Sequence, residues 1–234
     1  MFKLLIADLV VEIDNKYNYI NNYCQKYIYT GDKPTDIYVS ISDQEIQQEY
    51  ANSDEDFTEG YLESICAYRK IATALPKFDA FVLHSAVIQV EGKGIAFLAS
   101  SGTGKTTHLL FWHKLCDESL KVVNGDKPIV RIIDGVPYAF GTPWSGKEGY
   151  NSNRRTILTD LCFIERAEKD EVINISGLSA AMLLMNQVYR PNNASMLDKT
   201  YNLANELLKS CNLRRVKCTN NISAAKTAYE AIFK

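Results

Sequence analysis

The sequence predicts an α/β chain of the α+β type, built on a mixed β-sheet. Two observations carry this. Strand-like segments outnumber helical ones before residue 165. Many of them follow one another through short turns, as antiparallel hairpins do, and not through the helical crossovers of a doubly wound parallel sheet. The last third of the chain reads as helical.

In chain order, Phe2 to Ile13 is rich in Leu, Ile and Val, and Ile37-Tyr38-Val39-Ser40-Ile41 alternates as a half-buried strand does. The polar run Gln44 to Asp56 reads as a loop. Asp56 is placed to cap a helix, with Glu59 three residues on, and Tyr61, Ile65, Tyr68, Ala72 and Leu75 then recur at helical spacing until Pro76. Residues 80–90 form an apolar, β-branched strand, Glu91-Gly92-Lys93-Gly94 a hairpin turn, and Ile95 to Leu98 the returning strand. Thr106 to Cys116 reads as a helix and Leu120 to Val123 as a strand ending at Asn124-Gly125-Asp126. Residues 129–133 and 136–140 make another hairpin about Asp134-Gly135. A polar loop, "GTPWSGKEGYNSNRR", runs from Gly141 to Arg155, and Leu161 to Ile164 is a strand. Helices are expected at Ser179 to Tyr189, Ala194 to Ser210 and, capped by Ser223, Ala224 to Phe233. Residues 1–78 thus form an N-terminal α+β region, and residues 79–234 a domain organised around the loop at 99–106.

Bulk properties narrow the function. With 234 residues the chain can bury a full core. A net charge of −2, with mixed signs along the chain, offers no basic groove for nucleic acid. No apolar run approaches the ~18 residues of a membrane span. The apolar start Met1 to Ile6 is too short for a signal peptide. The six cysteines contain no C-x-x-C pair and several lie in apolar segments, as reduced, partly buried thiols do. A cytoplasmic location is expected, and association into an oligomer is compatible with the sequence.

The stretch "LASSGTGKTTH", Leu98 to His108, closes as a phosphate-binding (Walker A) loop does. Gly102 and Gly104 allow backbone N–H groups to converge on phosphate oxygens. A helix starting just after presents its N-terminus to the anion. Lys105 supplies a cation for the terminal phosphates and Thr106 a hydroxyl for Mg²⁺. Ala99 stands where the usual pattern has its first glycine. Symmetric pairing about Gly92-Lys93 sets Val90 opposite Ile95 and His84 opposite Ser101, so an imidazole is expected near the phosphates. His108 and His113 are assigned to the helix surface.

The stretches "LHSAVIQVEGKGIAFLASSGTGKTTH" and "VVNGDKPIVRI" resemble the catalytic domain of HPr kinase/phosphorylase, which is related to phosphoenolpyruvate carboxykinase. The resemblance is specific over residues 82–131, and "NGDKP" and "GTPWSGKEG" recur in a branch of HPr kinase-like proteins. It implies a phosphate-loop kinase fold with a mixed sheet. His84 matches the family's active-site histidine, Lys105 its loop lysine, Thr106 its magnesium-binding hydroxyl, and Asp126 the second of two adjacent aspartates. The first is Gly125 here.

The resemblance implies a phosphotransferase dependent on ATP, with GTP as the other candidate, that acts with Mg²⁺ on a hydroxyl acceptor. Nucleotide would lie on Ser100, Ser101, Gly102, Thr103, Gly104, Lys105, Thr106 and Thr107. Asp126 is the expected base, metal ligand or both, and Glu148 a second metal ligand. Lys147, Arg154 and Arg155 lie in a Gly-, Ser- and Asn-containing loop suited to close over phosphate. The acceptor is a serine of a protein or peptide, or a small molecule such as an amino acid. A nucleotide-binding module without catalysis is the alternative from another class.

Overall fold

The computed structural model describes residues 1–234. The apolar start folds into a three-stranded sheet. Strands β1 (Phe2–Ile6) and β2 (Leu9–Asp14) pair antiparallel, and β3 (Ile37–Ser40) joins β2 in parallel. Helices α1 (Asn18–Tyr23), α2 (Asp43–Ala51) and α3 (Glu59–Ala74) accompany it. The core under this sheet also takes in Ala80, Val82, Ile129, Phe140 and Trp144. Arg131 reinforces the join, donating to the Ala7 carbonyl at 2.8 Å and the Phe78 carbonyl at 3.1 Å.

The larger sheet has nine strands. They are β4 (Ala80–Val82), β5 (Ser85–Val90), β6 (Lys93–Leu98), β7 (Lys121–Asn124), β8 (Ile129–Ile133), β9 (Val136–Phe140), β10 (Arg155–Arg166), β11 (Glu171–Asn174) and β12 (Asn212–Cys218). Along its main path the order is β4-β8-β9-β10-β6-β5-β7, and β12 pairs with both β10 and β11. The sheet is mixed, as expected: β10 is parallel to β6 and to β12, and antiparallel to β9.

Both faces of β6 are covered. Ala96 and Leu98 pack among residues of α5 (Gly177–Leu184) and α6 (Ala194–Ser210), such as Ala180, Leu203 and Leu207. Ile95 and Phe97 pack with Leu109 and Trp112 of α4 (Lys105–Cys116) and with Ala225 and Ala228 of α7 (Ile222–Phe233). Alternation in a strand explains why "IAFL" is apolar at every position. All six cysteines are free, and no helix is long and apolar enough to cross a membrane.

The structure corrects several expectations. Residues 80–90 are two strands, broken at Leu83-His84, and they pair with different neighbours. The hairpin turns on Glu91-Gly92, both at positive φ, so Val90 faces Lys93 and Ser85 faces Leu98. The pairing expected for His84 is therefore two residues out of register. The expected loop at 44–56 contains α2, whose Ser42–Glu45 capping box was readable in the sequence. Thr58, not Asp56, caps α3, and Asn221, not Ser223, caps α7.

The last third is not purely helical. β10 extends well beyond Leu161–Ile164 in both directions, and β11 and β12 add to its edge. β12, "NLRRVKC", hides its strand pattern because a charged residue occupies a partly buried site. Arg214 Nε lies 2.9 Å from Oδ1 of Asp160, which is fully buried.

Gly141 lets the chain leave β9 toward the site. A Cβ there would stand 1.8 Å from the Ser152 carbonyl oxygen and 2.7 Å from that of Val123, both backbone atoms. Gly141→Ala is therefore expected to destabilise the protein by about 1–3 kcal/mol or more through overpacking. Urea unfolding of the variant and the parent measures this, and an unchanged midpoint would contradict the packing described.

Candidate functional site

The loop between β6 and α4 is shaped by its two inner glycines. Gly102 has φ +75° and Gly104 φ +120°, backbone that side chains other than glycine rarely adopt. Gly104 is the N-cap of α4, whose first turn contains Lys105 and Thr106 and no acidic residue. The positive end of the helix dipole is thus uncompensated within its own helix. The Lys105 ammonium folds back, 3.1 Å from the Ala99 carbonyl oxygen and 3.0 Å from His84 Nε2.

His84 sits in the break between β4 and β5. The segment is held from two sides: Leu83 N–H donates to the Pro128 carbonyl at 3.1 Å, His84 N–H to that of Gln187 at 2.7 Å, and Ser85 N–H to that of Asp126 at 3.1 Å. The same imidazole nitrogen lies 3.0 Å from Asp126 Oδ1, and Lys127 Nζ lies 3.0 Å from Oδ2. Lys105, His84, Asp126 and Lys127 therefore form one continuous row of polar contacts.

Asp126 is fixed by Asn124, a buried residue the sequence reading passed over. Asn124 Oδ1 accepts from the N–H groups of Asp126 and Lys127, each at 2.8 Å. Its amide donates to the carbonyl and hydroxyl oxygens of Thr142 at 3.0 and 3.1 Å. The "NGD" turn chemistry thus serves to place a carboxylate. Arg166, also unforeseen, reaches from the end of β10 to the glycine loop and donates to the carbonyls of Thr103 (2.9 Å) and Gly102 (2.5 Å). No local motif marks it, because only the β6–β10 pairing brings it there.

The loop 141–155 is buried over residues 141–145 and exposed at Gly146 to Gly149. Gly146 borders both Asp126 and Glu148. A Cβ on that residue would lie 3.3 Å from Asp126 Cβ and 3.6 Å from Glu148 Oε2. Lys147 lines a cavity together with Asp126. Arg155 is engaged elsewhere, with Nη1 2.6 Å from Asp8 Oδ2 and its guanidinium 5.1 Å from the Tyr138 ring centroid. Arg154 lines a separate depression with Asp8 and Phe140. His108 is not on the surface as expected. It is buried, accepts from the Trp112 indole N–H at 2.9 Å, and burial holds its pKa down to about 4. His113 is exposed.

Two cavities flank the glycine loop. One of about 480 Å³ lies between Ser100–Thr103, the end of β10 and Gln187. The other, about 380 Å³, is lined by Thr107, Phe111, Arg166 and Asn220 among others. No group of three or more His, Cys, Asp or Glu side chains is placed to hold a metal ion.

The family described as SynChlorMet cassette protein ScmC matches residues 51–227. The chain belongs to the ScmC family. The match takes in α3, the whole of the nine-stranded sheet and the whole of the row from His84 to Lys127. Comparison with curated proteins finds no match. Among solved structures, the HPr(Ser) kinase/phosphatase from Coxiella burnetii is similar at 10% identity, over 55% of this chain and 91% of that one. Its TM-score is 0.30, too slight a likeness to carry an argument.

The charges in the row shape one another. Burial alone would push the Asp126 carboxyl up. The His84 hydrogen bond and the Lys127 ammonium outweigh it and hold the pKa at about 2. Burial, aided by Lys127, lowers the Lys105 ammonium, while Asp126 works against that shift. A carboxyl depressed in the folded state adds stability above its unfolded pKa and loses it as pH falls through the folded value. For Asp126 that window runs from about 4 down to about 2. His84→Ala should move the Asp126 titration midpoint upward, because burial remains while the hydrogen bond is gone. Carboxyl NMR across pH 1–6 checks this; an unmoved midpoint would mean that the imidazole does not hold the carboxylate.

Proposed function

We propose that the chain is an ATP-dependent phosphotransferase acting on a hydroxyl group. The observation that carries this is the row Lys105–His84–Asp126 at the foot of the glycine loop, with 3.0 Å between each imidazole contact. It joins a cation suited to the β- and γ-phosphates to a carboxylate suited to the attacking hydroxyl.

The proposed roles follow from position. The N–H groups of residues 100–107 and the uncompensated N-terminus of α4 receive the phosphates. Lys105 exchanges its contact with the Ala99 carbonyl for phosphate oxygens. The nucleoside has room in the 380 Å³ cavity beside Thr107, where Phe111 offers an aromatic face. The acceptor oxygen forms a bond to the γ-phosphorus as the bond from phosphorus to the bridging oxygen breaks, ADP leaves, and the hydroxyl proton passes to Asp126. The transition state of such transfers is loose, so the proton moves late and a weakly basic carboxylate suffices. His84 holds Asp126 in place by donating to Oδ1.

The donor set fits magnesium that arrives with the nucleotide. Asp126 and Glu148 both border Gly146, the Thr106 hydroxyl is at the start of α4, and no all-protein cage is present. Mg²⁺ is typically held by one or two carboxylates plus substrate phosphates. When bound there it would offset the charge that develops on the phosphate oxygens.

Lys105→Ala is expected to lower ATP affinity by at least about tenfold, read by calorimetry, in line with the loss of a hydrogen bond to a charged group. Asp126→Asn should still bind nucleotide yet slow single-turnover ATP hydrolysis by about a hundredfold or more. A parent protein that binds no ATP, or an Asp126→Asn variant matching the parent's hydrolysis within about a factor of two, would overturn the reading.

A further inference from the structure

A third cavity, of about 440 Å³, opens directly on Asp126. Asp126, Lys127 and Lys147 give it a charged end, and five of its other lining residues are aromatic: Tyr19, Tyr23, Tyr61, Tyr68 and Trp144. We infer that this cavity is the acceptor site, and that it takes a peptide segment with an aromatic side chain next to its serine or threonine hydroxyl. The inference rests on the phosphotransferase reading above and adds the class of acceptor to it.

The wall is assembled from both ends of the chain's first two thirds. Tyr19 and Tyr23 come from α1, Tyr61 and Tyr68 from α3, and Trp144 from the loop after β9. Residues 1–78 thereby supply the four tyrosines, and the sheet domain supplies Trp144 and the carboxylate. Glu63 fixes α1 against α3. It is fully buried in α3, and its carboxylate accepts from the N–H groups of Lys16 (2.6 Å) and Tyr17 (3.1 Å), just before α1 begins. That spends a buried charge on the position of a six-residue helix whose only buried residue is Ile20.

The rings are ordered against one another before any ligand arrives. Tyr19 stacks on Tyr23 at 5.9 Å between centroids and meets Tyr61 edge-on at 6.0 Å, and Tyr68 packs on Trp144 at 5.4 Å. Yet Tyr19 and Tyr23 keep 39% and 40% of their surface in water, so the cluster is not closed on itself. Trp144 is 6% exposed, and its indole N–H is buried without an acceptor. Burying such a donor unpaired is unfavourable, so an acceptor supplied by a ligand in the cavity would relieve it.

Size and polarity select the occupant. An aromatic ring fills the tyrosine end through offset or edge contacts. Consecutive Cα atoms are about 3.8 Å apart, so the neighbouring residue's hydroxyl reaches the Asp126 end of a cavity of this size. A small polar metabolite would leave the aromatic wall uncovered.

The test observes Trp144 directly. In isotope-labelled protein the two indole N–H resonances, those of Trp112 and Trp144, are followed during titration with N-acetyl-Ser-Tyr amide and with N-acetyl-Ser-Gly amide. The Ser-Tyr probe is expected to shift the Trp144 resonance saturably, through the ring current of the incoming tyrosine, and to leave Trp112 unmoved. The Ser-Gly probe should bind about two- to tenfold or more weakly, the size of one aromatic contact. Tyr19→Ala and Tyr61→Ala, each made alone, should weaken Ser-Tyr binding by a similar factor, while the Trp112 resonance reports that the fold is intact. No shift at Trp144, equal affinity for both probes, or unchanged affinity in both variants would each overturn the inference. Mg-ATP binding, measured separately, tells the two readings apart. Peptide binding without ATP binding removes the phosphotransferase reading and keeps the aromatic-peptide site. ATP binding without peptide binding does the reverse.

Discussion

One imidazole nitrogen approaches two partners of opposite charge, and the geometry of the site hangs on that contact. His84 Nε2 is 3.0 Å from both Lys105 Nζ and Asp126 Oδ1. A single ring nitrogen cannot donate to the carboxylate and accept from the ammonium at once. The depressed Asp126 pKa goes with donation to the carboxylate, which leaves Lys105 with the Ala99 carbonyl as its hydrogen-bond partner. Lysine is thus near the row but weakly committed to it. Under the proposed function such a lysine would have to be placed and also free to leave for phosphate, and this arrangement fits both needs.

The placement of His84 depends in turn on a broken strand. Leu83, His84 and Ser85 direct their N–H groups alternately to two segments, Leu83 and Ser85 to residues 126–128 and His84 to Gln187. The break costs regular pairing, and the segments at 126–128 and 187–188 repay it with alternative acceptors, so no buried N–H is stranded there. It also transfers the chain from the β8 side of the sheet to β6.

This explains which parts of the structure were legible. The glycine loop, the helix after it and the apolar strand before it follow local rules, and the sequence displays them in order. His84 was placed near Lys105 by a hairpin register that is itself two residues off, and the neighbourhood survived because the shift is smaller than the loop. The strand break was hidden, since "FVLHSAVIQV" is apolar and β-branched throughout, and what interrupts it is the demand of distant acceptors. Asn124, Arg166 and Arg214 escaped notice for one reason. Each satisfies a partner brought by tertiary pairing: Thr142, the glycine-loop carbonyls and buried Asp160 respectively. Residues 43–51 failed differently: α2 buries only Ile46, so its periodicity is faint even though its cap was written out in Ser42 and Glu45.

Gly125 carries the last constraint. The resemblance places an aspartate there, yet the structure leaves little space for any side chain. A Cβ at Gly125 would stand 3.1 Å from the Ser145 carbonyl oxygen and 3.2 Å from Tyr150 Cβ, and the Gly125 N–H donates to the Tyr150 carbonyl at 2.8 Å. The loop that carries Trp144 therefore lies against the strand end where a first carboxylate would have stood. That close approach puts Trp144 beside Tyr68 and puts Glu148 at the Gly146 junction with Asp126. A larger residue at 125 would push the loop outward, separating the two carboxylates and opening the aromatic wall together. One missing side chain thus links the charge of the site to the shape of its neighbouring cavity, and both follow from the same backbone contact.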